Sequence, residues 1–176
     1  RRQRQMCIRD SLIFSLSRAL NPKKALLPAP TFAEYEQALV SVGCEISRYY
    51  LKEENDFCIQ KDYPDVLKRE KPDIIFLCNP NNPTGITIPQ DLLEEILETC
   101  AMQGIFMVVD ECFLDFVKDP EKHTLKEKLA KYPNKRLFGS NVSQPQSVNA
   151  WCMLVLKFLH HISDRYGCLL YTSPSP

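Results

Sequence analysis

Glycine is scarce in this chain: five residues in 176, against thirteen prolines. That shortage argues against the glycine-rich loops that cradle phosphates in nucleotide-binding proteins. No uninterrupted apolar stretch of the sequence approaches the roughly 20 residues that a membrane-spanning helix needs. The formal net charge at pH 7 is zero, so the chain as a whole lacks the basic excess that marks nucleic-acid binders. The eight cysteines stand at 7, 44, 58, 78, 100, 112, 152 and 168, and no two form a Cys-x-x-Cys pair. Scattered thiols in a chain of this size read as reduced residues of an intracellular protein, neither a disulfide framework nor a zinc site. His123, His160 and His161 show no ligand spacing with any cysteine or carboxylate, so no metal is expected. What is there is an ordinary globular mixture, 44% hydrophobic, 25% charged and 10% aromatic. It excludes a disordered polyampholyte and leaves room for one domain with at most a small appendage.

The two ends depart from the rest. Residues 1–11 hold four of the arginines, which reads as a basic arm until the wording is compared with that of the other terminus. Residues 1–11 and 168–176 resemble translated copies of a transposase-type sequencing adapter, one from each strand, and both are set aside as scars. The remainder carries 18 basic and 21 acidic residues, a net charge of about −3. The chain is then expected to be a fragment of a longer protein.

From residue 12 onward, helical and extended patterns alternate. Ile13, Leu16 and Leu20 share a helical face that Asn21 and Pro22 close. Residues 25–27 read as a short buried strand ended by Pro28 and Pro30. Thr31 and Glu34 have the spacing of a capping box, ahead of a helix face formed by Phe32, Tyr35, Leu39 and Val42. Residues 44–50 alternate as a strand, and residues 62–69 are a short helix with Val66 and Leu67 inward. The apolar runs at 74–78 and 105–109 read as strands buried on both faces. Between them, Leu92, Leu93, Ile96, Leu97 and Cys100 face inward on a helix that turns Glu94, Glu95 and Glu98 out. Strand–helix–strand units of this kind imply an α/β fold, a mostly parallel sheet flanked by helices. Order weakens after Tyr132, and only residues 151–161 again carry a helical pattern.

Two features occupy equivalent places in this pattern. The strand at 74–78 runs into Asn-Pro-Asn-Asn-Pro-Thr-Gly at 79–85, and the strand at 105–109 runs into Asp110. Parallel strands joined by one helix present their carboxyl ends on one edge, where ligands of open α/β sheets bind. Asn82 and Asp110 are therefore expected to face one site, well under about 10 Å apart if both touch one ring. Each feature also has a plain reading, Asp110 as a cap for the segment that follows and the Asn-Pro pairs as a turn.

The motif at 79–85, followed by Val-Val-Asp-Glu-Cys-Phe at 108–113, resembles the large-domain core of fold-type-I aminotransferases that use pyridoxal phosphate. Pro-Thr-Phe-Ala-Glu-Tyr at 30–35 resembles the segment that lays an aromatic ring over the cofactor. The resemblance covers residues 12–134, a partial large domain. It implies that Asp110 pairs with the protonated pyridine nitrogen, that Asn82 hydrogen-bonds the ring 3-hydroxyl oxygen, and that Phe32 stacks on the ring, although Phe32 also suits a core position. At Phe113 the aspartate-type enzymes of the family and most histidinol-phosphate aminotransferases carry a tyrosine, which donates to the same oxygen; Phe113 has no donor. With that change the wording is most similar to threonine-phosphate decarboxylases of cobalamin biosynthesis, and next to histidinol-phosphate aminotransferases of histidine biosynthesis. The resemblance further implies a phosphorylated amino acid or amino-alcohol phosphate as partner, no nucleic acid or membrane, a homodimeric parent and a cytoplasmic location.

Some expected parts are missing. The family's Schiff-base lysine should follow the aspartate by some thirty residues, but around Ser140 there is none, and neither Lys135 nor Lys157 has the right neighbours. The catalytic set is thus incomplete, and the fragment itself is expected to be inert. A frame shift between Lys135 and Gln146 accounts for this, making residues 135–167 suspect. The phosphate-holding helix start is expected just before Leu12.

Overall fold

A computed structural model describes residues 8–125 and 153–155, with side chains placed from Asp10 to Leu125. Four helices and five strands make up its regular part: α1 (Ile8–Leu20), β1 (Lys24–Ala29), α2 (Ala33–Val40), β2 (Glu45–Tyr50), α3 (Tyr63–Glu70), β3 (Ile74–Cys78), α4 (Gln90–Gln103), β4 (Phe106–Asp110) and β5 (Met153–Val155). All strand pairings are parallel, in the order β2-β1-β3-β4-β5. This is the α/β architecture expected from the alternation of patterns. No helix among the described residues is long and apolar enough to cross a membrane.

The two-residue period of the strands builds two cores, one on each face. Ile74 and Phe76 of β3 and Val108 of β4 point toward α1 and α2, where Ile13, Leu16, Tyr35 and Leu39 are buried. Ile75, Leu77, Met107 and Val109 point the other way, onto Val66 and Leu67 of α3 and Leu93, Ile96 and Cys100 of α4. Every residue of β3 is buried, as a strand covered on both sides requires. β2 lies at the edge, and its residues are partly or fully exposed.

Local chemistry explains where the elements stop. α1 ends at Asn21, whose backbone is left-handed (φ 44°) and whose N–H donates to the Ser17 carbonyl at 2.9 Å. Asparagine tolerates that conformation better than most side chains, and Pro22 prevents continuation. α4 ends at Gly104, φ +79°, with its N–H on the Cys100 carbonyl, the usual use of glycine past a helix end. The amino ends of three strands are pinned by Asp73. Its Oδ2 accepts from the N–H groups of Lys23 and Lys24 at 2.7 and 2.9 Å, and its carbonyl accepts from the N–H of Phe106.

Three expectations need correction. The capping box does not form: Phe32 is the N-cap of α2, with no side-chain cap bond, and the Thr31 hydroxyl donates instead to Asn81 Oδ1 at 3.0 Å. A tertiary acceptor has outcompeted the local amide. β1 also runs past its expected end, through Pro28 to Ala29. Pro28 fits because the ladder to β3 covers only Ala25 and Leu26, while Pro28 lies opposite Tyr49 of β2. Finally, Met153–Val155 is a strand against β4, not part of a helix. A short apolar run does not distinguish the two by period, and the open edge of β4 offers unpaired backbone groups. The rest of 135–167, including Lys135, Lys157 and the frame-shift region, lies outside the described residues, as does the segment before Ile8. α1 begins at Ile8, so it crosses the boundary drawn at residue 12.

Candidate functional site

The carboxyl edge of the sheet gathers the candidate residues. Cys78 and Asp110 stand opposite each other at the ends of β3 and β4, and the Asp110 carbonyl accepts from the N–H of Asn79 at 2.8 Å. The loop that carries Asn82 therefore starts beside Asp110.

Asp110 shares its parity along β4 with Val108, so its side chain lies on the face covered by α2. It is 1% exposed. Tyr35, one helical turn after Phe32, reaches it from α2: the phenol O–H donates to Asp110 Oδ2 at 2.6 Å. The other oxygen, Oδ1, accepts from the N–H of Cys112 at 3.0 Å. So Asp110 does cap the segment that follows, as its plain reading held, and it also faces α2. Both donors are neutral, and no described basic residue forms an ion pair with Asp110. A buried carboxylate with only neutral donors leaves lone pairs for which a cation is the most stabilising partner.

Tyr35 is itself held by rings. It stacks on Phe76 with centroids 5.0 Å apart, and Phe32 meets it edge-on at 5.4 Å. Its phenol is pushed well above the ordinary tyrosine range, by burial first and then by the Asp110 charge and the neighbouring Cys78. The tyrosine thus stays a donor throughout the neutral range. Nothing in the spacing of the sequence marked this role, because the partners lie 75 residues apart. The one available signal was its place one turn after Phe32.

The asparagines of the 79–85 loop divide their work. Asn79 is fully buried; its Oδ1 accepts from the N–H of Ile88 at 2.9 Å, and its Nδ2 donates to the His123 carbonyl at 3.0 Å. Asn81 Oδ1 accepts from Thr31, and its Nδ2 donates to the Pro30 carbonyl at 3.0 Å and to Thr84 Oγ1 at 3.1 Å. Asn82 sits half-buried in the turn, with no hydrogen bond from its side chain to any described residue. Two of the three are thus committed to structure, and the Asn82 amide has no hydrogen-bond partner among the described residues. Gly85 closes the turn with φ +73° and donates to the Asn81 carbonyl at 2.7 Å, a backbone that favours glycine.

Phe32 lies at the start of α2, partly buried against the cluster that contains Tyr35. Phe113, three residues past Asp110, is 37% exposed and packs at 6.3 Å from Phe116, which is 85% exposed. Glu111 turns away from the site. Its buried carboxylate accepts from the Thr124 hydroxyl at 2.8 Å and the N–H of Leu125 at 3.0 Å, tying the 120s segment to the sheet edge.

A buried acid, an uncommitted amide and an aromatic ring at the carboxyl edge match the ring-binding half of a pyridoxal-phosphate site. The family model for aminotransferase class I and II matches residues 9–141, well over half of the chain. The chain belongs to the class I and II aminotransferase family. That family depends on pyridoxal phosphate. The match runs slightly beyond the 12–134 read from sequence, at both ends. Among curated relatives, the chain is 38% identical over 105 residues to threonine-phosphate decarboxylase of Salmonella typhimurium, covering 60% of this chain and 29% of that protein. It is 35% identical over 96 residues to histidinol-phosphate aminotransferase of Ruminiclostridium cellulolyticum, covering 53% of this chain and 26% of that protein. A solved decarboxylase from Sulfurospirillum multivorans superposes with a TM-score of 0.61 at 28% identity, over 70% of this chain and 35% of that one. The chain thus spans about a third or less of the length of these relatives.

The residues present suit the ring end of the cofactor. They bring a buried carboxylate at Asp110, a half-buried primary amide at Asn82 and a partly buried apolar ring at Phe32.

Proposed function

We propose that this chain is the cofactor-ring-binding part of a pyridoxal-phosphate lyase that removes the α-carboxylate of a phosphorylated amino acid, in the manner of a threonine-phosphate decarboxylase. The observation that carries the proposal is the buried Asp110 carboxylate, held by Tyr35 and Cys112 and lacking a basic partner among the described residues.

When bound, pyridoxal phosphate supplies a protonated ring that draws electron density from the substrate α-carbon. Asp110 holds that proton on the ring nitrogen, since the paired carboxylate favours the cationic form. Tyr35 keeps the carboxylate aimed by occupying Oδ2. Asn82 donates its amide to the ring 3-hydroxyl oxygen, and Phe32 covers one ring face and excludes water there. Phe113, which has no hydroxyl, leaves Asn82 without the second donor that a tyrosine would add.

The likeness to threonine-phosphate decarboxylase, together with Phe113, supports decarboxylation. The likeness to histidinol-phosphate aminotransferase supports a second reading, transfer of the amine. The same proposal places the parent protein in the cytoplasm as a homodimer, acting on a small phosphorylated amine within cobalamin biosynthesis. The chain by itself is proposed to be catalytically inert.

The test is a pair of assays on the full-length protein that carries this segment. Given threonine phosphate, it should release carbon dioxide and leave the amino-alcohol phosphate. Amine transfer from histidinol phosphate to a keto acid, without release of carbon dioxide, would favour the second reading. Neither reaction would reject both.

A further inference from the structure

We propose that Asn81 is a positioning residue that sets the separation between Phe32 and Asn82, so that the recognition of a ring hydroxyl by Asn82 depends on a latch between two loops. The proposal rests on the cofactor-binding reading of the edge but concerns a residue that reading does not use.

The two loops leave different strands. One follows β1 and carries Phe32; the other follows β3 and carries Asn82. Asn81 joins them with its whole side-chain amide. Oδ1 accepts from the Thr31 hydroxyl at 3.0 Å, and Nδ2 donates to the Pro30 carbonyl at 3.0 Å. The second hydrogen of Nδ2 goes to Thr84 Oγ1 at 3.1 Å, inside the loop of Asn82. The amide cannot be flipped, because the Pro30 carbonyl only accepts and must face the NH₂ group.

Both ends of the latch adjoin the groups they place. Thr31 and Pro30 immediately precede Phe32, and Asn81 immediately precedes Asn82. The backbone of Asn81 is fixed as well: its N–H donates to the Ile86 carbonyl at 2.8 Å, and its carbonyl accepts from Gly85 at 2.7 Å. A rigid loop bonded to a neighbouring loop passes displacement on instead of absorbing it. Elsewhere along β1 and β3 the ladder covers only Ala25 and Leu26 against Ile74 and Ile75. The two strands therefore have no paired backbone near the site, and Asn81 supplies the link that the ladder does not.

Thr31→Val, Asn81→Ala and the double variant test the latch, with pyridoxamine phosphate and its 3-deoxy analogue as probes. In NMR titrations of the full chain, each single variant should weaken pyridoxamine phosphate about three- to tenfold, the worth of one neutral hydrogen bond. Binding of the 3-deoxy analogue, which gives Asn82 nothing to bond, should change less than twofold by the same reasoning. The double variant should lose no more than Asn81→Ala alone, because both act on one connection. Equal weakening of both probes, or additive losses, would overturn the proposal. A cofactor-free measurement runs beside it: Thr31→Val should speed amide exchange at Asn81 and Gly85, across the loop boundary. Unchanged exchange there would also overturn the latch. If the unaltered chain binds neither probe while the exchange coupling holds, the cofactor-binding reading fails, and the latch stands only as a link between loops.

Discussion

Replacing Tyr35 with phenylalanine removes one oxygen atom and nothing else. The ring keeps its stack on Phe76 at 5.0 Å and its edge contact with Phe32. What is lost is the 2.6 Å hydrogen bond to Asp110 Oδ2, between residues that are 0% and 1% exposed. A hydrogen bond to a charged group contributes about 1.5–3 kcal/mol, and a buried acceptor stripped of its donor puts the cost toward the upper part of that range. With a urea slope of about 2 kcal/mol/M, the unfolding midpoint should fall by about 1–1.5 M. The pH dependence gives a second reading of the same bond. The folded-state phenol lies above its ordinary value of 10.0, so its contribution is complete below that value and is lost as pH rises through the folded value. Tyr35→Phe should therefore flatten part of the alkaline loss of stability. It should not abolish that loss, because the phenols of Tyr63 and Tyr49 are raised too, Tyr49 to about 12. A midpoint shift smaller than about 0.3 M, against the slope used here, would refute the claim that Tyr35 holds the carboxylate.

Tyr63 offers the opposite case. Its hydroxyl is buried with no hydrogen-bond partner among the described residues, so Tyr63→Phe should leave stability unchanged or raise it by up to about 1 kcal/mol, read by the same urea titration. Gly104→Ala should destabilise by about 1–2 kcal/mol through backbone strain alone, since a Cβ there meets nothing within 4 Å while φ is +79°. Calorimetry on that variant should show a lower melting temperature with unchanged cooperativity.

Much of the fold was legible because the determinants are local. β3 is a five-residue apolar run between breakers and is buried throughout, while β4 follows the expected run shifted by one residue, to Phe106–Asp110, with Phe106 partly exposed and the rest buried. The inward face of α4 is formed by the leucines, isoleucine and cysteine that the spacing selects. Parallel topology brings the start of the 79–85 loop and Asp110 to one sheet edge, as the register of Cys78 against Asp110 shows. What stayed hidden are pairings across long stretches of chain. The spacing places Thr31 at a local cap, yet its hydroxyl bonds a residue 50 positions away. The helical pattern makes Tyr35 a core residue, and it is core by burial, but its polar end serves Asp110. Asn81 and Asn82 are neighbours of one type, and only the three-dimensional partners separate the structural amide from the uncommitted one. Met153–Val155 shows the remaining ambiguity, a short apolar run whose form is decided by the strand edge beside it.

The central claim is that Asp110 is the anion for a protonated pyridine nitrogen. Ring-¹⁵N-labelled pyridoxamine phosphate tests it directly when added to the full chain and to Asp110→Asn near neutral pH. The bound nitrogen should show the chemical shift of the protonated ring with Asp110 present, and that of the neutral ring, with weaker binding, after substitution to asparagine. A neutral ring nitrogen in the unaltered chain, or a protonated one that persists in Asp110→Asn, would contradict the account.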